Sequence, residues 1–184
     1  MLEVNPVQLY NNVVDEKLCL KLINVINLLA TKKLGVGQKD FKNKKQRNVF
    51  GYSLNLQDTH DLKIVNLVST QIYNCLLDYK EKFVELVLNG VSQVDLLKYK
   101  TGGKYVKHID QDHSTNRILS FIINLNEGYT GGEICFYNPQ TGQPLEPIEL
   151  QTGDIIFFPS NFLYPHAILP ITQKTRFSIV GWLN

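Results

Sequence analysis

Tyr99-Lys-Thr-Gly-Gly-Lys-Tyr105-Val-Lys-His108-Ile-Asp110 reads as two strands joined by a glycine turn, with an imidazole and a carboxylate two residues apart. Strand side chains alternate faces, so positions i and i+2 point the same way, and His108 and Asp110 are expected to converge on one metal ion. Two further groups extend the pattern. His166 follows a proline in Phe162-Leu-Tyr-Pro165-His166, and Arg176 comes ten positions later in an otherwise apolar segment with Phe177, Ile179, Val180 and Trp182.

On either side of that stretch the chain changes texture. After Asn89-Gly90, short apolar runs alternate with turn residues, which predicts strands at about 92–99, 104–110, 117–124, 132–137, 146–150, 154–158, 163–168 and 174–183. Strands at this spacing point to a double-sheet jelly roll. Before Gly90 the period is helical. Asp15 is placed to cap a helix over about 16–31, with Leu18, Leu22, Ile23 and Ile26 on one face. A second helix is expected over about 59–80, with Ile64, Val65, Val68, Ile72, Cys75, Leu76 and Tyr79 aligned and His60 as a surface or capping residue at its start. Residues 7–14 read as a short strand or extended lead-in, and 48–56 as a strand. Residues 32–47 lose the pattern, with Gly35, Gly37, Lys39, Lys42, Lys44, Lys45 and Arg47, and read as a solvated loop or a flap over a substrate.

The fold class predicted is therefore α+β, a jelly-roll (double-stranded β-helix) core with N-terminal packing helices. The 184 residues are expected to form one domain, with helical support over about 1–90 and a catalytic core over about 91–184. A net charge of +2 is too small to argue for nucleic acid or a membrane surface as partner. Without a basic, apolar leader or a long apolar run, a cytoplasmic location is expected. Cys19, Cys75 and Cys135 are scattered in apolar patterns and are expected to be buried free thiols, as suits a reducing compartment.

Two neutral imidazoles and one carboxylate are the ligand set that holds non-haem Fe(II) and leaves positions open. His108 and Asp110 would come from one strand and His166 from a later strand facing it across the barrel mouth. A His-x-Asp pair alone is common on surfaces, and His166 alone could be a core histidine. Arg176 changes the balance, because a buried guanidinium is costly unless paired, and a dicarboxylate would pair it bidentately. His113 and Asp112 fall in a polar turn beyond the strand and are read as loop residues.

The ordered series Tyr99, Gly102, Tyr105, His108-x-Asp110, Leu125-Asn126, Gly131-Gly132-Glu133, Gly153-Asp154, Phe157-Phe158-Pro159, His166, Thr175-Arg176 and Trp182 resembles the 2-oxoglutarate- and Fe(II)-dependent dioxygenases, in their prolyl 4-hydroxylase branch. The resemblance covers about residues 92–183. It implies Fe(II) held by His108, Asp110 and His166, and 2-oxoglutarate held by Arg176 with Tyr99. O2 would be the oxidant and ascorbate an accessory reductant. It further implies a procollagen-proline 4-dioxygenase-like reaction, oxidative decarboxylation of 2-oxoglutarate to succinate and CO2 coupled to hydroxylation of a proline-containing protein or peptide. Arg117 and Trp182 match positions that face the prolyl substrate in relatives. Asn124 is a departure, since some relatives have tyrosine there near the cosubstrate. The rival readings are the same chemistry on free proline, another amino acid or a small molecule, and a catalytically silent jelly roll that binds proline-rich peptides. Oligomeric state is left open.

Overall fold

The computed structural model describes residues 5–35, 46–111 and 115–184. Lys39, Lys42, Lys44, Lys45, Asp112 and His113 lie outside them. The chain runs β1 (Gln8–Tyr10), α1 (Glu16–Leu29), β2 (Lys32–Lys33), β3 (Arg47–Asn48), β4 (Phe50–Ser53), α2 (Thr59–Lys82), β5 (Val91–Tyr99), β6 (Lys104–His108), β7 (Leu119–Asn124), β8 (Ile134–Phe136), β9 (Ile155–Pro159), β10 (His166–Ile168) and β11 (Arg176–Leu183). Among the described residues these strands make a seven-stranded sheet ordered β1-β9-β7-β11-β5-β4-β2 and a four-stranded sheet ordered β3-β6-β10-β8. The strand pairs are antiparallel. The two sheets form the expected jelly roll, and both helices pack on the outer face of the larger one.

Both helices start where the sequence places a cap. Asp15 accepts a hydrogen bond from the Leu18 amide, and Asp58 accepts from His60 and Asp61, so free first-turn amides are paired. Cys19, Leu22 and Ile26 of α1 and Val65, Val68, Ile72, Cys75 and Tyr79 of α2 then meet the larger sheet.

The larger sheet is covered on both faces, and its period-2 alternation sorts residues between two cores. On β5, Val94 and Leu96 face the helices, whereas Leu97 and Tyr99 face the smaller sheet. On β7, Leu119, Phe121 and Ile123 face the helices and Ile122 faces inward; on β9, Ile155 and Phe157 oppose Ile156 and Phe158. Burying one Phe or Leu side chain stabilises the fold by about 2–3 kcal/mol, so a one-residue slip of any of these strands would be prohibitive. The buried polar residues of these strands (Asp95, Ser120, Asn124, Arg176 and Ser178) lie at inward-facing parities.

Several boundaries differ from the sequence reading. Residues 146–150 contribute only an isolated bridge, Ile148 to Ile134, because Pro144 and Pro147 interrupt a regular ladder. Lys32–Lys33 form a short strand on β4, inside a segment expected to be irregular. Arg47 belongs to a strand too, paired with Tyr105 of β6, and its side chain is only 12% exposed, not solvated. The three cysteines are buried and free as expected, and burial pushes the Cys19 thiol up to about 11.

Gly153-Asp154 clamps the lead-in to α1. The Gly153 carbonyl accepts from the Val13 and Val14 amides, and the Asp154 carboxylate accepts from Asn12 and Gln151. Gly153 has φ +82°, and a Cβ there would sit 2.2 Å from the Val14 carbonyl oxygen. Gly153→Ala is therefore expected to cost about 2–4 kcal/mol, through left-handed strain and a backbone clash. Urea unfolding monitored by circular dichroism should show a lower midpoint at unchanged slope; an unchanged midpoint would refute the clamp.

Candidate metal centre

His108 ends β6 and His166 begins β10, and the two are direct Cα partners across neighbouring strands. They do not face each other across the barrel mouth, as expected from sequence. The pairing shifts register between His166↔His108 and Ile168↔Tyr105, so β6 carries one extra residue, a β-bulge. The bulge lets Tyr105 and His108, three residues apart, both turn inward and stack with centroids 3.6 Å apart. Asp110 lies just beyond the strand end, so simple alternation does not place it. Its position is fixed by the Gln111 amide donating to the Ser160 carbonyl and by Arg117 Nη1 donating to its own carbonyl.

The candidate ligand atoms of His108, Asp110 and His166 lie within 4.8 Å of one another. His108 Nε2 is 3.5 Å from Asp110 Oδ1, and His166 Nε2 is 3.7 Å from Asp110 Oδ2. Ligands about 2.1 Å from a metal with adjacent octahedral positions sit about 3 Å apart, so a modest contraction suffices. Each imidazole is oriented from behind. His108 Nδ1 is 2.8 Å from the Val106 carbonyl and His166 Nδ1 is 3.0 Å from the Tyr164 carbonyl, so Nδ1 donates and Nε2 keeps its lone pair for a metal.

Protonation states fit the same role. Burial, followed by the neighbouring His108, brings the His166 pKa down to about 4, so the ring is neutral near pH 7. Burial alone would raise the Asp110 pKa. The imidazoles of His166 and His108 and the Ser120 hydroxyl outweigh it, leaving the carboxyl ionised and well below its ordinary range. Ser120 donates to Asp110 Oδ2 at 2.7 Å and is itself 2.8 Å from Ser160 Oγ. This buried serine pair supports the carboxylate at Oδ2, the oxygen that also faces His166, and nothing in the residue types marks the pair beforehand.

Arg176 lies opposite Tyr99 in the β11–β5 ladder, 1% exposed, with its guanidinium 5.6 Å from the Tyr99 ring. Nε donates to Asn124 Oδ1 at 3.2 Å and Nη1 reaches Ser178 Oγ at 3.4 Å, but Nη2 has no partner. Asn124 is held in turn, its Nδ2 donating to the carbonyls of Asn126, Leu150 and Gln151 and its Oδ1 also accepting from Tyr129. The departure at Asn124 thus serves the arginine directly. A buried cation with a free N–H and only neutral partners suits an incoming carboxylate.

Arg117 stacks on Trp182 with its guanidinium carbon 3.8 Å from the ring centroid, and Nη2 donates to Gln93 Oε1 at 2.8 Å. Trp182 is 5% exposed and its Nε1 lacks a partner. Arg47, read from sequence as part of a surface loop, also lines this pocket, together with Tyr99, Tyr105, Arg176 and Trp182.

A jelly roll with an open-sided two-histidine, one-carboxylate cluster and a buried arginine beside it defines the class of mononuclear metal oxygenases using a carboxylate cosubstrate. Comparison with known proteins agrees: residues 94–184 match the 2OG-Fe(II) oxygenase superfamily, and the chain belongs to that superfamily. It is 38% identical over 87 residues to a PKHD-type hydroxylase of Prochlorococcus marinus strain NATL1A, covering 45% of this chain and 37% of that protein. Against a PKHD-type hydroxylase of strain NATL2A it is 29% identical over 167 residues, 87% of this chain and 71% of the relative. The chain thus spans little more than a third of one curated relative and most of the other. The fold is that of a prolyl hydroxylase from Trichoplax adhaerens solved with a hypoxia-inducible factor peptide, with TM-score 0.80 at 17% identity, covering 99% of this chain and 84% of that one. Superfamily membership implies Fe(II) and 2-oxoglutarate, and the two back-oriented imidazoles and the free Arg176 Nη2 fit both.

Among the described residues no helix is long and apolar enough to cross a membrane.

His166 makes the metal-free protein acid-sensitive. Its pKa is 6.5 when unfolded and about 4 when folded, so between those values the unfolded chain binds more protons. Stability is full above about pH 6.5 and falls as the pH drops; at about 1.4 kcal/mol per pH unit, about 3 kcal/mol is lost by pH 4. In chelator-treated protein, denaturant midpoints should fall across this window, and His166→Gln should flatten the fall. Parallel curves for the two proteins would contradict the buried neutral imidazole.

Proposed function

We propose that this chain is an Fe(II)- and 2-oxoglutarate-dependent prolyl hydroxylase acting on a proline-containing protein or peptide. We further propose that the 184 residues work as one domain, with about 1–90 supporting a catalytic core over about 91–184. The observation that carries the reading is the pairing of the His108–Asp110–His166 cluster with a buried Arg176 whose Nη2 is free. The prolyl hydroxylase named among the structural relatives, solved with a peptide, supports a peptide substrate.

In this reading, His108 and His166 present Nε2 and Asp110 one carboxylate oxygen to Fe(II), leaving positions for cosubstrate and O2. Arg176 pairs with the distal carboxylate of 2-oxoglutarate through Nη2, and Asn124 fixes the plane of the guanidinium. Tyr99 is kept in its protonated form by burial, so its hydroxyl can donate to the same carboxylate. Iron, 2-oxoglutarate and O2 supply the oxidising chemistry that turns cosubstrate into succinate and CO2 and a substrate C–H into C–OH. Apolar walls at Ile122, Phe158 and Ile168 shield the reacting groups from water. Trp182 packs against the substrate, and Arg117, already spending two donors within the chain, holds the indole and the Asp110 backbone.

Incubation with Fe(II), 2-oxoglutarate, ascorbate and proline-containing peptides should give succinate and a peptide gaining one oxygen, located by mass spectrometry. Succinate without peptide modification would shift the substrate to free proline, another amino acid or a small molecule. No succinate from metal-loaded protein would instead favour a binding module.

His108→Ala, Asp110→Ala and His166→Ala are each expected to abolish turnover and to weaken Mn(II) binding, read by calorimetry, with the fold retained. Arg176→Ala should raise the KM for 2-oxoglutarate about 100-fold, the loss of about 3 kcal/mol that follows removal of one partner of a buried charge pair. An unchanged KM would remove Arg176 from the cosubstrate site.

A further inference from the structure

Among the described residues, three buried side-chain nitrogen or oxygen atoms lack a partner: Arg47 Nε, Arg176 Nη2 and Trp182 Nε1. All three are N–H donors, none is an acceptor, and all belong to residues that line the same pocket. Apart from the metal-facing atoms of His108, Asp110 and His166, the described part of this pocket leaves buried donors unpaired and no buried acceptor, which suits ligands rich in acceptor oxygens. The cosubstrate accounts for Arg176. Arg47 and Trp182 remain.

Arg47 comes from β3 in the smaller sheet and crosses toward the larger one. Its Nη2 is 3.6 Å from Asp95 Oδ2, an ion pair longer than a hydrogen bond, and its Nη1 donates to the Gly35 carbonyl at 3.1 Å. The guanidinium carbon lies 4.8 Å from the centroid of the Tyr105 ring, which stacks on His108. Arg47 is therefore fixed in place through its outer nitrogens and one ring contact, while Nε is left free close to the metal cluster.

Along β11 the inward residues run Arg176, Ser178, Val180, Trp182. Trp182 is six residues from Arg176, about 20 Å along an extended strand. Asp95, the partner of Arg47, is opposite Val180, and Gln93, the partner of Arg117, is opposite Trp182. Arg47, Asp95, Gln93, Arg117 and Trp182 thus belong to the end of the inward surface remote from the start of β11.

Among the described residues, Asp95 is the carboxylate paired with Arg47, and it also accepts from Gln93 Nε2 at 2.8 Å. Arg117 is bonded to a backbone carbonyl and a glutamine oxygen, both neutral. Asp110 lies at this end too, because its donor Ser120 is the ladder partner of Trp182, and its charge is matched to the metal cluster.

We propose that Arg47 is a specificity-determining residue that selects primary substrates carrying a carboxylate next to the carbon to be oxidised. The inference rests on the oxygenase reading and deepens it by giving a substrate class. The carboxylate takes the free Nε donor of a guanidinium whose own carboxylate contact is 3.6 Å long, and Trp182 Nε1 offers a second donor to the same pocket. Asp95 has a positioning role, since it keeps the guanidinium in the pocket when substrate is absent. The carboxylate can be an acidic side chain flanking the target, a free peptide C-terminus, or that of an amino acid, and the three are separable by experiment.

The test uses Trp182, the single tryptophan of the chain, as an intrinsic fluorescence reporter. The full chain, loaded with Mn(II) and 2-oxoglutarate without oxygen, is titrated with matched probes: an Asp-Pro peptide and its Asn-Pro counterpart, a Pro-ending peptide as acid and as amide, free proline and prolinamide, and N-acetylalanine and its amide. At least one acid should bind about 10-fold or more tighter than its amide partner, and which pair does so identifies the source of the carboxylate. Arg47→Gln should reduce that ratio to about 2 or less and Arg47→Lys should retain part of it, as a point charge without the guanidinium fork.

No acid preferred over its amide in the parent protein would overturn the proposal. So would an equal loss for acid and amide in Arg47→Gln, the mark of a structural role. Weaker 2-oxoglutarate binding in that variant with the acid-to-amide ratio intact would also overturn it and move Arg47 to the cosubstrate. If N-acetylalanine shows the same acid preference as the proline probes, the carboxylate inference stands and the prolyl reading fails.

Discussion

The larger sheet is buried on both faces, and the rest of the molecule follows from that. Helices α1 and α2 cover one side and the smaller sheet covers the other, so the apolar residues of β5, β7, β9 and β11 are sorted between two cores. The helix-facing core is almost wholly apolar. The inward core admits Arg176, Asn124, Ser120, Ser178 and Asp95, each of which would cost several kcal/mol if left without partners in an apolar interior. Polar residues are tolerated there because they bond to one another and because the remaining donors face a space that ligands can fill.

That arrangement stores a defined deficit. An unsatisfied buried donor costs about 1–3 kcal/mol, and more when charged, so the free N–H groups of Arg47, Arg176 and Trp182 make the ligand-free pocket less stable than it could be. The arginines that carry two of those donors are held in advance by Asn124, Asp95 and Tyr105, so a ligand supplying acceptors would meet them in place. The metal cluster is prepared in the same way. Backbone carbonyls fix both Nδ1 atoms, burial keeps His166 neutral, and Ser120 with Ser160 steadies Asp110.

Much of the architecture was legible because it depends on local periodicity. The 3.6-residue rows of α1 and α2, their aspartate caps and the apolar runs of β7, β9 and β11 are visible in the chain. The strand expected over 146–150 reduces to one bridge because Pro147 lacks the amide a ladder needs there. The bulge in β6 was invisible, since an extra residue leaves no compositional trace when glycine is absent from it. Arg47 was misjudged because neighbouring lysines gave its segment the look of solvent. Its burial depends on Asp95 and Tyr105, 48 and 58 residues later (95 − 47 and 105 − 47).

The sequence by itself determined the class of fold and the metal-ligating triad, through the helix periods, the strand spacing and the order of His108, Asp110 and His166, and it marked Tyr99 and Arg176 as candidates beside them. These are properties of residue type and short-range order, which a linear chain carries explicitly. Tertiary structure alone decided that His108 and His166 are neighbours in one ladder, that Ser120, Ser160 and Asn124 hold Asp110 and Arg176, and that Arg47 enters the pocket. Those facts depend on which strands pair and in what register, and register is set by burial summed over the whole sheet, which no single stretch encodes.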